Sequence, residues 1–389
     1  MSSSMWTSLA SSTFRSTSES KAISYEWVQL TEGDAVMKRC SANRRFHAAI
    51  LIGSMIGLTA CAAAFAKDLQ PLAALPNADR LGAIVSEAHA RFKDVKDGAN
   101  ADYIPILATV PSELFAVVIA TRDGKIYSAG DSDYRYSIQS VSKPFTAALV
   151  MQQYGKPDVL KDKIGVEPTG LPFNSKLALE IHDARSVNPL VNAGAIASVS
   201  LVKAKDEEDR WQQVLANLQA FAGGAKLPLL DDVYQSEYAT SWSNRAIANL
   251  LFNSERLYSE PEEALRVYTK QCSVGINTAE LALMGATLAN GGVNPATGRR
   301  LLDAASVPEL LAIMLMAGFY DESGEWAYSA GLPSKTGVGG GIVAVVPGQF
   351  AIAAFSPRVN EAGNSVRAML AIRFIAGKLG VGLFGANPE

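Results

Sequence analysis

The chain is poor in the residues that build metal and redox centres. Cysteine occurs three times in 389 residues, at Cys40, Cys61 and Cys272, and histidine three times, at His47, His89 and His182. No CxxC pair and no Cys/His cluster at ligand spacing is present, so the sequence offers no disulfide framework, zinc site or thiol-redox motif. A mechanism built on an imidazole base must use His89 or His182, because His47 falls in a segment patterned as a removable leader. Excess charge is lacking as well: 35 Lys plus Arg stand against 38 Asp plus Glu, a net charge of -3. That balance gives no footing for a polyanion such as nucleic acid. Beyond the leader there is no internal repeat and no low-complexity linker. The length exceeds what one core usually supports, which suggests about two to three units or one enzyme of two lobes.

Residues 1–36 are rich in Ser and Thr without periodicity and read as a disordered extension. From Met37 the pattern sharpens. A basic start (Lys38, Arg39, Arg44, Arg45) is followed by a short apolar run and the small-x-small triplet Ala64-Phe65-Ala66. This is the order of a secretory signal peptide over 37–66, cleaved after Ala66, and the run is short for a membrane span. Such a signal works from a chain start, which predicts that translation begins at Met37. Leu58-Thr59-Ala60-Cys61 resembles a lipobox with Cys61 as the acylated residue; the soluble periplasmic or secreted form is the preferred reading. If the segment is not used as a signal it is an uncleaved apolar helix, and the protein is cytoplasmic.

The remaining chain, 67–389, reads as one domain of two lobes. ADRLGAIVSEAHARF carries Leu81, Ile84, Val85 and His89 at helical spacing. ELFAVVIATRDGKIYSAGD reads as two strands joined at Asp123-Gly124, and GGIVAVVPGQFAIAAFSP as two more around Pro347-Gly348. Helical patterns such as DEEDRWQQVLANLQAFAGG fill the middle, and NEAGNSVRAMLAIRFIAGKLG closes the chain with a helix. The order predicts an α/β lobe from about 80–145 and 318–389, with a helical lobe from about 146–317 inserted.

The chemistry-bearing stretch is YSIQSVSKPF, Tyr136 to Phe145. Ser140 and Lys143 stand three apart, on one face if a helix begins near the serine. A lysine deprotonates a serine only if burial or nearby positive charge lowers its pKa. SxxK alone is a common accident, and helix capping explains it nearly as well. Lys335-Thr336-Gly337, followed by Val338-Gly339-Gly340-Gly341 and an apolar strand, changes the balance: SxxK with a distant Lys-Thr-Gly is the pairing of penicillin-recognising serine hydrolases. Glycines there let a ligand lie against the strand edge, where backbone N–H groups can stabilise an oxyanion. The rival is a glycine-rich strand start with a solvated lysine.

Longer strings narrow the class. Tyr103 to Leu107 (YIPIL), Ser137 to Lys143 (SIQSVSK), Asn188 to Ile196 (NPLVNAGAI), Ser236-Glu237 and Gly318 to Ile342 (GFYDESGEWAYSAGLPSKTGVGGGI) resemble the serine-dependent glutaminase family, in order from about residue 80 to 385. The resemblance implies a serine β-lactamase-like fold of mixed α/β (α+β) class: an antiparallel sheet flanked by helices from both chain ends, with an inserted helical lobe. It also implies hydrolysis of L-glutamine to L-glutamate and ammonia without metal or organic cofactor, and assembly as a homodimer or homotetramer. By position, Ser140 corresponds to the nucleophile and Lys143 to its base, while Tyr103 and Tyr320 correspond to the tyrosines that relay or hold protons. The backbone amides of Ser140 and Val338 correspond to the oxyanion hole. Glu237 corresponds to the partner of the substrate ammonium; Asn192, Asn244 and Tyr268 correspond to hydrogen-bonding groups for its carboxylate and amide. Each has a bland rival: Asn192 could shape a turn, Glu237 could be a helix N-terminal acid, and Tyr268 could be core.

One departure stands out. Where the family reads Arg-Asn, this chain has Ser243-Asn244-Arg245, with the arginine displaced by two positions. Asn244 is carried over by its spacing of seven from Glu237. His182-Asp183 suggests a serine triad only weakly, and His89 reads as a core histidine. The competing readings are a β-lactam or peptidoglycan hydrolase, against which no SxN motif follows the nucleophile segment, and an amino-acid-binding protein without turnover.

Overall fold

The computed structural model describes residues 74–182 and 186–385. The extension 1–36, the start at Met37, the signal 37–66 and Cys61 lie outside the described residues, as does Asp183.

Five strands form one antiparallel sheet: β1 (Ala116–Thr121), β2 (Ile126–Gly130), β3 (Ser334–Thr336), β4 (Gly341–Val346) and β5 (Phe350–Phe355), in the order β2-β1-β5-β4-β3. The register pairs Ala116 with Gly130 and Phe355, and Ser334 with Ala344. Strands from both ends of the chain therefore share one sheet. Asp123-Gly124 turns β1 into β2: Gly124 takes φ 86° and its N–H donates to Thr121 O at 2.9 Å. A side chain would strain that backbone.

Every residue of β1, β4 and β5 is buried, and the period-two alternation of strands explains why. Val117, Ile119, Ile342, Ala344, Ile352 and Ala354 face one core with Leu81, Ile84 and Val85 of helix α1 (Ala78–Phe92). Ile372 and Ile375 of the last helix, Val366–Leu379, complete that core. Val118, Ala120, Val343, Val345, Ala351 and Ala353 face the other, larger core. Covered on both faces, these antiparallel strands read as continuous apolar runs. The central helix of the second face is Thr278–Ala289; a Cβ on its Gly285 would stand 2.6 Å from Val343 Cγ2, so glycine permits the close approach of helix to sheet.

The second core continues into the helices between the strands: α2 (Lys143–Tyr154), α3 (Asn192–Leu201), α4 (Glu207–Phe221), α5 (Asp231–Thr240), α6 (Trp242–Asn253) and α7 (Pro261–Cys272). The helix expected from Ser140 begins differently. Gln139–Ser142 is a 3₁₀ turn, and the α-helix starts at Lys143 with Pro144 in its first turn, where a missing N–H costs nothing. Arg367 is fully buried, and its guanidinium donates to Ser356 Oγ (2.8 Å), Lys93 O (3.0 Å), Glu113 O (3.2 Å), Leu114 O (3.3 Å) and Ser112 O. It thereby ties the last helix to the segment that leads into β1.

NPLVNAGAI has a physical reading. Asn188 Oδ1 accepts from the N–H groups of Leu190 (2.9 Å) and Val191 (3.2 Å), a side-chain turn that delivers Asn192 to the start of α3. A Cβ on Gly194 would fall 1.7 Å from Asn188 O, so only glycine lets α3 close onto this turn. Gly194→Ala is expected to destabilise the fold by about 1–3 kcal/mol through overpacking, read as a lowered melting temperature; an unchanged melting temperature would show that the turn has another support.

Candidate active site

Ser140 is reached through a backbone that local propensity disfavours. Tyr136–Ser137 pairs with Gly275–Ile276, Ile138 N–H donates to Val274 O at 2.9 Å, and Gln139 then adopts φ 49°. A non-glycine residue in this region carries strain of about 1–3 kcal/mol, and tertiary contacts hold it. Gln139 Nε2 donates to Glu237 Oε2 (3.1 Å) and Ser137 Oγ (3.4 Å), and Ser142 Oγ donates to Gln139 O (2.7 Å). From the other side, the segment after β3 lies against the turn. A Cβ on Gly337 would be 3.3 Å from Ser140 N, and one on Gly339 would be 2.6 Å from Ser137 O. Among the described residues, neither the Ser140 nor the Val338 amide donates to a backbone carbonyl, which leaves both for a ligand oxygen.

Lys143 lies one turn on, 1% exposed, and its Nζ donates to Asn192 Oδ1 at 2.7 Å. Burial lowers its pKa to about 8, opposed by the neighbouring Cys272 and Glu237. Asn192 is a junction rather than a turn-former. Its Oδ1 also accepts from Tyr268 OH (3.1 Å), and its Nδ2 donates to Asn244 Oδ1 (2.9 Å). Tyr268 is buried, yet its hydroxyl reaches the pocket, and the Lys143 amine lies 5.8 Å from its ring centre. Glu237 belongs to the second half of α5, so it is not an N-terminal acid. Burial raises its carboxyl to about 7, against the Gln139 hydrogen bond and the Lys143 charge.

Tyr320 is the second strained residue of the site, with φ 59°. Burial holds its phenol above its ordinary range, offset by a hydrogen bond with the Ser140 hydroxyl. Tyr103 is 52% exposed as a residue, but its phenol is also pushed well up, by burial first and then by Tyr320 and Glu237. Its hydroxyl end is therefore the buried end. Ser140, Tyr103, Asn192, Glu237, Asn244, Tyr268 and Val338 line one small pocket, a cavity of about 80 Å³. Tyr320 touches that pocket through Ser140 and through Phe173, whose ring is 4.7 Å away.

Lys335 does not line this pocket. It is fully buried, the opposite of a solvated lysine; its Nζ donates to Thr336 O (2.7 Å) and Gly318 O (3.1 Å) and lies 4.1 Å from the Tyr320 ring centre. Burial, and then the Lys143 charge, holds its pKa well below the usual lysine value. Its place is under the strained turn of Tyr320. Arg245 likewise stays outside: it donates to Glu262 Oε1 (3.0 Å) and Tyr238 O (3.3 Å), bracing α5 and α6 against α7. Ser243 lines the pocket and accepts from Lys176 Nζ at 2.9 Å. His89 stacks on Phe115 at 5.0 Å, far from this pocket's lining, and His182 does not line it either. Among the described residues no group of three His, Cys, Asp or Glu side chains could hold a metal ion.

Sequence reasoning missed Gln139, Phe173, Asn174 and Ser243, which also line the pocket. Gln139 carried a usable signal, its place next to Ser140. The loop residues Phe173 and Asn174 carried none.

With this geometry in view, the chain's likenesses gain meaning. Residues 98–384 match the family model described as glutaminase. Glutaminase 1 of Escherichia coli strain K12 is 53% identical over 308 residues, covering 79% of this chain and 99% of the relative. The glutaminase of Mycobacterium ulcerans is 52% identical over 310 residues, covering 80% and 96%. Among solved structures, one of a probable glutaminase superposes with a TM-score of 0.78 at 53% identity, covering 79% and 99%. A Bacillus glutaminase superposes with a TM-score of 0.68 at 30% identity, covering 72% and 96%. The chain belongs to the glutaminase family and has its serine β-lactamase-like fold.

Proposed function

We propose that the chain hydrolyses the side-chain amide of L-glutamine to L-glutamate and ammonia through an acyl-enzyme on Ser140. The observation that carries this reading is Ser140 itself: it opens onto the pocket from a strained turn, near the Tyr320 phenol, one turn before a buried amine whose pKa is lowered to about 8. The names of the relatives fit it, and a neighbour at 33% identity was solved in a glutamate form.

A neutral Lys143 keeps two N–H groups, one of them on Asn192 Oδ1, and has a lone pair for the Ser140 proton. Ser140 Oγ then attacks the amide carbon, and the oxyanion falls to the free amides of Ser140 and Val338. As the carbon–nitrogen bond breaks, the nitrogen takes a proton from Lys143, directly or by way of Tyr320 or Tyr103, and leaves as ammonia. Water attacks the ester by the same route reversed, and Ser140 recovers its proton. Both tyrosines hold their protons at neutral pH, as donors must. Glu237 pairs with the α-ammonium, and Asn192, Asn244 and Tyr268 bond the carboxylate. Against the β-lactam reading stands Lys335: spent on two carbonyls beneath Tyr320, it has no face toward a ligand.

Ser140→Ala is expected to lower ammonia release by about 10⁴-fold or more with an unchanged fold by circular dichroism; full activity would sink the mechanism. The rate should rise with pH, because the base must lose its proton and the Glu237 carboxyl must be ionised to hold the ammonium. The rising limb of kcat/KM therefore belongs between about 7 and about 8, and a profile flat from pH 6 to 9 would contradict it. Glu237→Gln removes a hydrogen bond to a charged group, worth about 1.5–3 kcal/mol, so KM for glutamine should rise by one to two orders of magnitude. It should also move the remaining rising limb to lower pH, since the negative neighbour that favours charged Lys143 is gone.

A further inference from the structure

The first pocket adjoins a second one. A second cavity, about 930 Å³, shares Tyr103, Phe173, Asn174 and Val338 with the first pocket, which measures about 80 Å³ on the same basis. Glu237, Asn244 and Tyr268, the groups that grip the amino-acid end, line the first pocket alone. The second cavity instead meets the site at Val338, whose amide flanks the carbon under attack. Its wall also includes Gly363, where a Cβ would stand 3.1 Å from Val338 Cγ1 and 3.7 Å from the Tyr320 ring. The cavity therefore adjoins the first pocket through residues other than Glu237, Asn244 and Tyr268. Ammonia needs none of that volume.

Its chemistry is also uneven. The wall is largely apolar, with Ala99, Ala101, Pro172, Phe173, Val359 and Val366, while Asp97, Asp102 and Glu361 are exposed at its rim and no lysine or arginine lines it. Apolar walls favour methylenes, and an acidic rim favours a terminal ammonium over a carboxylate.

We propose that the enzyme also cleaves γ-glutamyl amides of primary alkylamines and diamines, whose amine chain occupies this second cavity. The proposal rests on the acyl-enzyme reading above. Lys143 takes the Ser140 proton, the Oγ–carbon bond forms and the carbon–nitrogen bond breaks as the nitrogen receives a proton, releasing the free primary amine. Water then adds to the ester carbon, the Oγ–carbon bond breaks and Ser140 recovers its proton. The products are glutamate and the amine, with no co-reactant beyond water.

The test measures glutamate released by the purified enzyme from glutamine, γ-glutamylbutylamide, γ-glutamyl-4-aminobutylamide and γ-glutamylglycine. The two alkylamides should be cleaved with kcat/KM within about tenfold of glutamine, and γ-glutamylglycine at least about tenfold more slowly than either. Asp102→Trp fills the cavity mouth from an exposed position; it should leave glutamine within about twofold while slowing the butylamide about tenfold or more. Glu361→Lys should raise γ-glutamylglycine relative to the 4-aminobutylamide. Cleavage of glutamine without either alkylamide overturns this inference and leaves the proposed function standing; failure on glutamine itself overturns both. Asp102→Trp slowing all substrates equally overturns the placement of the amine chain. γ-Glutamylglycine cleaved as fast as the alkylamides, or no effect of Glu361→Lys, overturns the role of the rim.

Discussion

The site depends on one costly arrangement, an amine buried in the core of the helical region. Lys143 begins a helix whose first six residues are all buried, and the polar atom that meets its Nζ is Asn192 Oδ1. A charge there loses hydration that one amide oxygen does not replace, so the neutral form gains ground. Everything near it serves that balance. The Asn188 turn and Gly194 bring Asn192 within reach, Asn244 and Tyr268 fix its amide orientation, and Glu237 keeps the amine from losing its proton altogether.

The second constraint is the strained pair Gln139 and Tyr320, both close to Ser140. Their left-handed backbones are uncommon for such residues, and each is held by contacts distant in sequence. Gln139 is held by Glu237 and by the Gly337–Gly339 segment; Tyr320 is held by Lys335 and by the loop that carries Gly363. Glu322 fastens that loop, accepting from Asn360 (3.0 Å) and Asn364 (2.6 Å). Lys-Thr-Gly thus acts here as a support: its lysine shores up a tyrosine, and its glycine lets the strand end press on the nucleophile turn.

Much of this was legible in the sequence, and the limits have physical causes. The Asp123-Gly124 hairpin and the strands around Pro347-Gly348 were readable because turn chemistry and apolar runs are local. The spacing of Glu237 and Asn244 survived the displaced arginine, because Arg245 turned out to brace helices rather than enter the pocket. Local pattern could not give the 3₁₀ turn at Ser140, since the backbone of Gln139 is imposed by contacts from α5 and the segment after β3. Nor could it give the buried state of Lys335 or the second cavity, whose walls come from segments near 97–103, 172–174 and 359–366. Those walls exist only once both chain ends share a sheet.

The proposed chemistry requires one amine, Lys143 Nζ, to lose its proton near neutral pH. Nuclear magnetic resonance of the enzyme with labelled lysine side chains, titrated from pH 6 to 11, reads the Lys143 Nζ midpoint directly, with Lys143→Arg assigning the signal. A midpoint near 8 is expected. A midpoint at the ordinary lysine value of about 10.4 would mean that Lys143 stays charged at working pH and cannot be the base that activates Ser140.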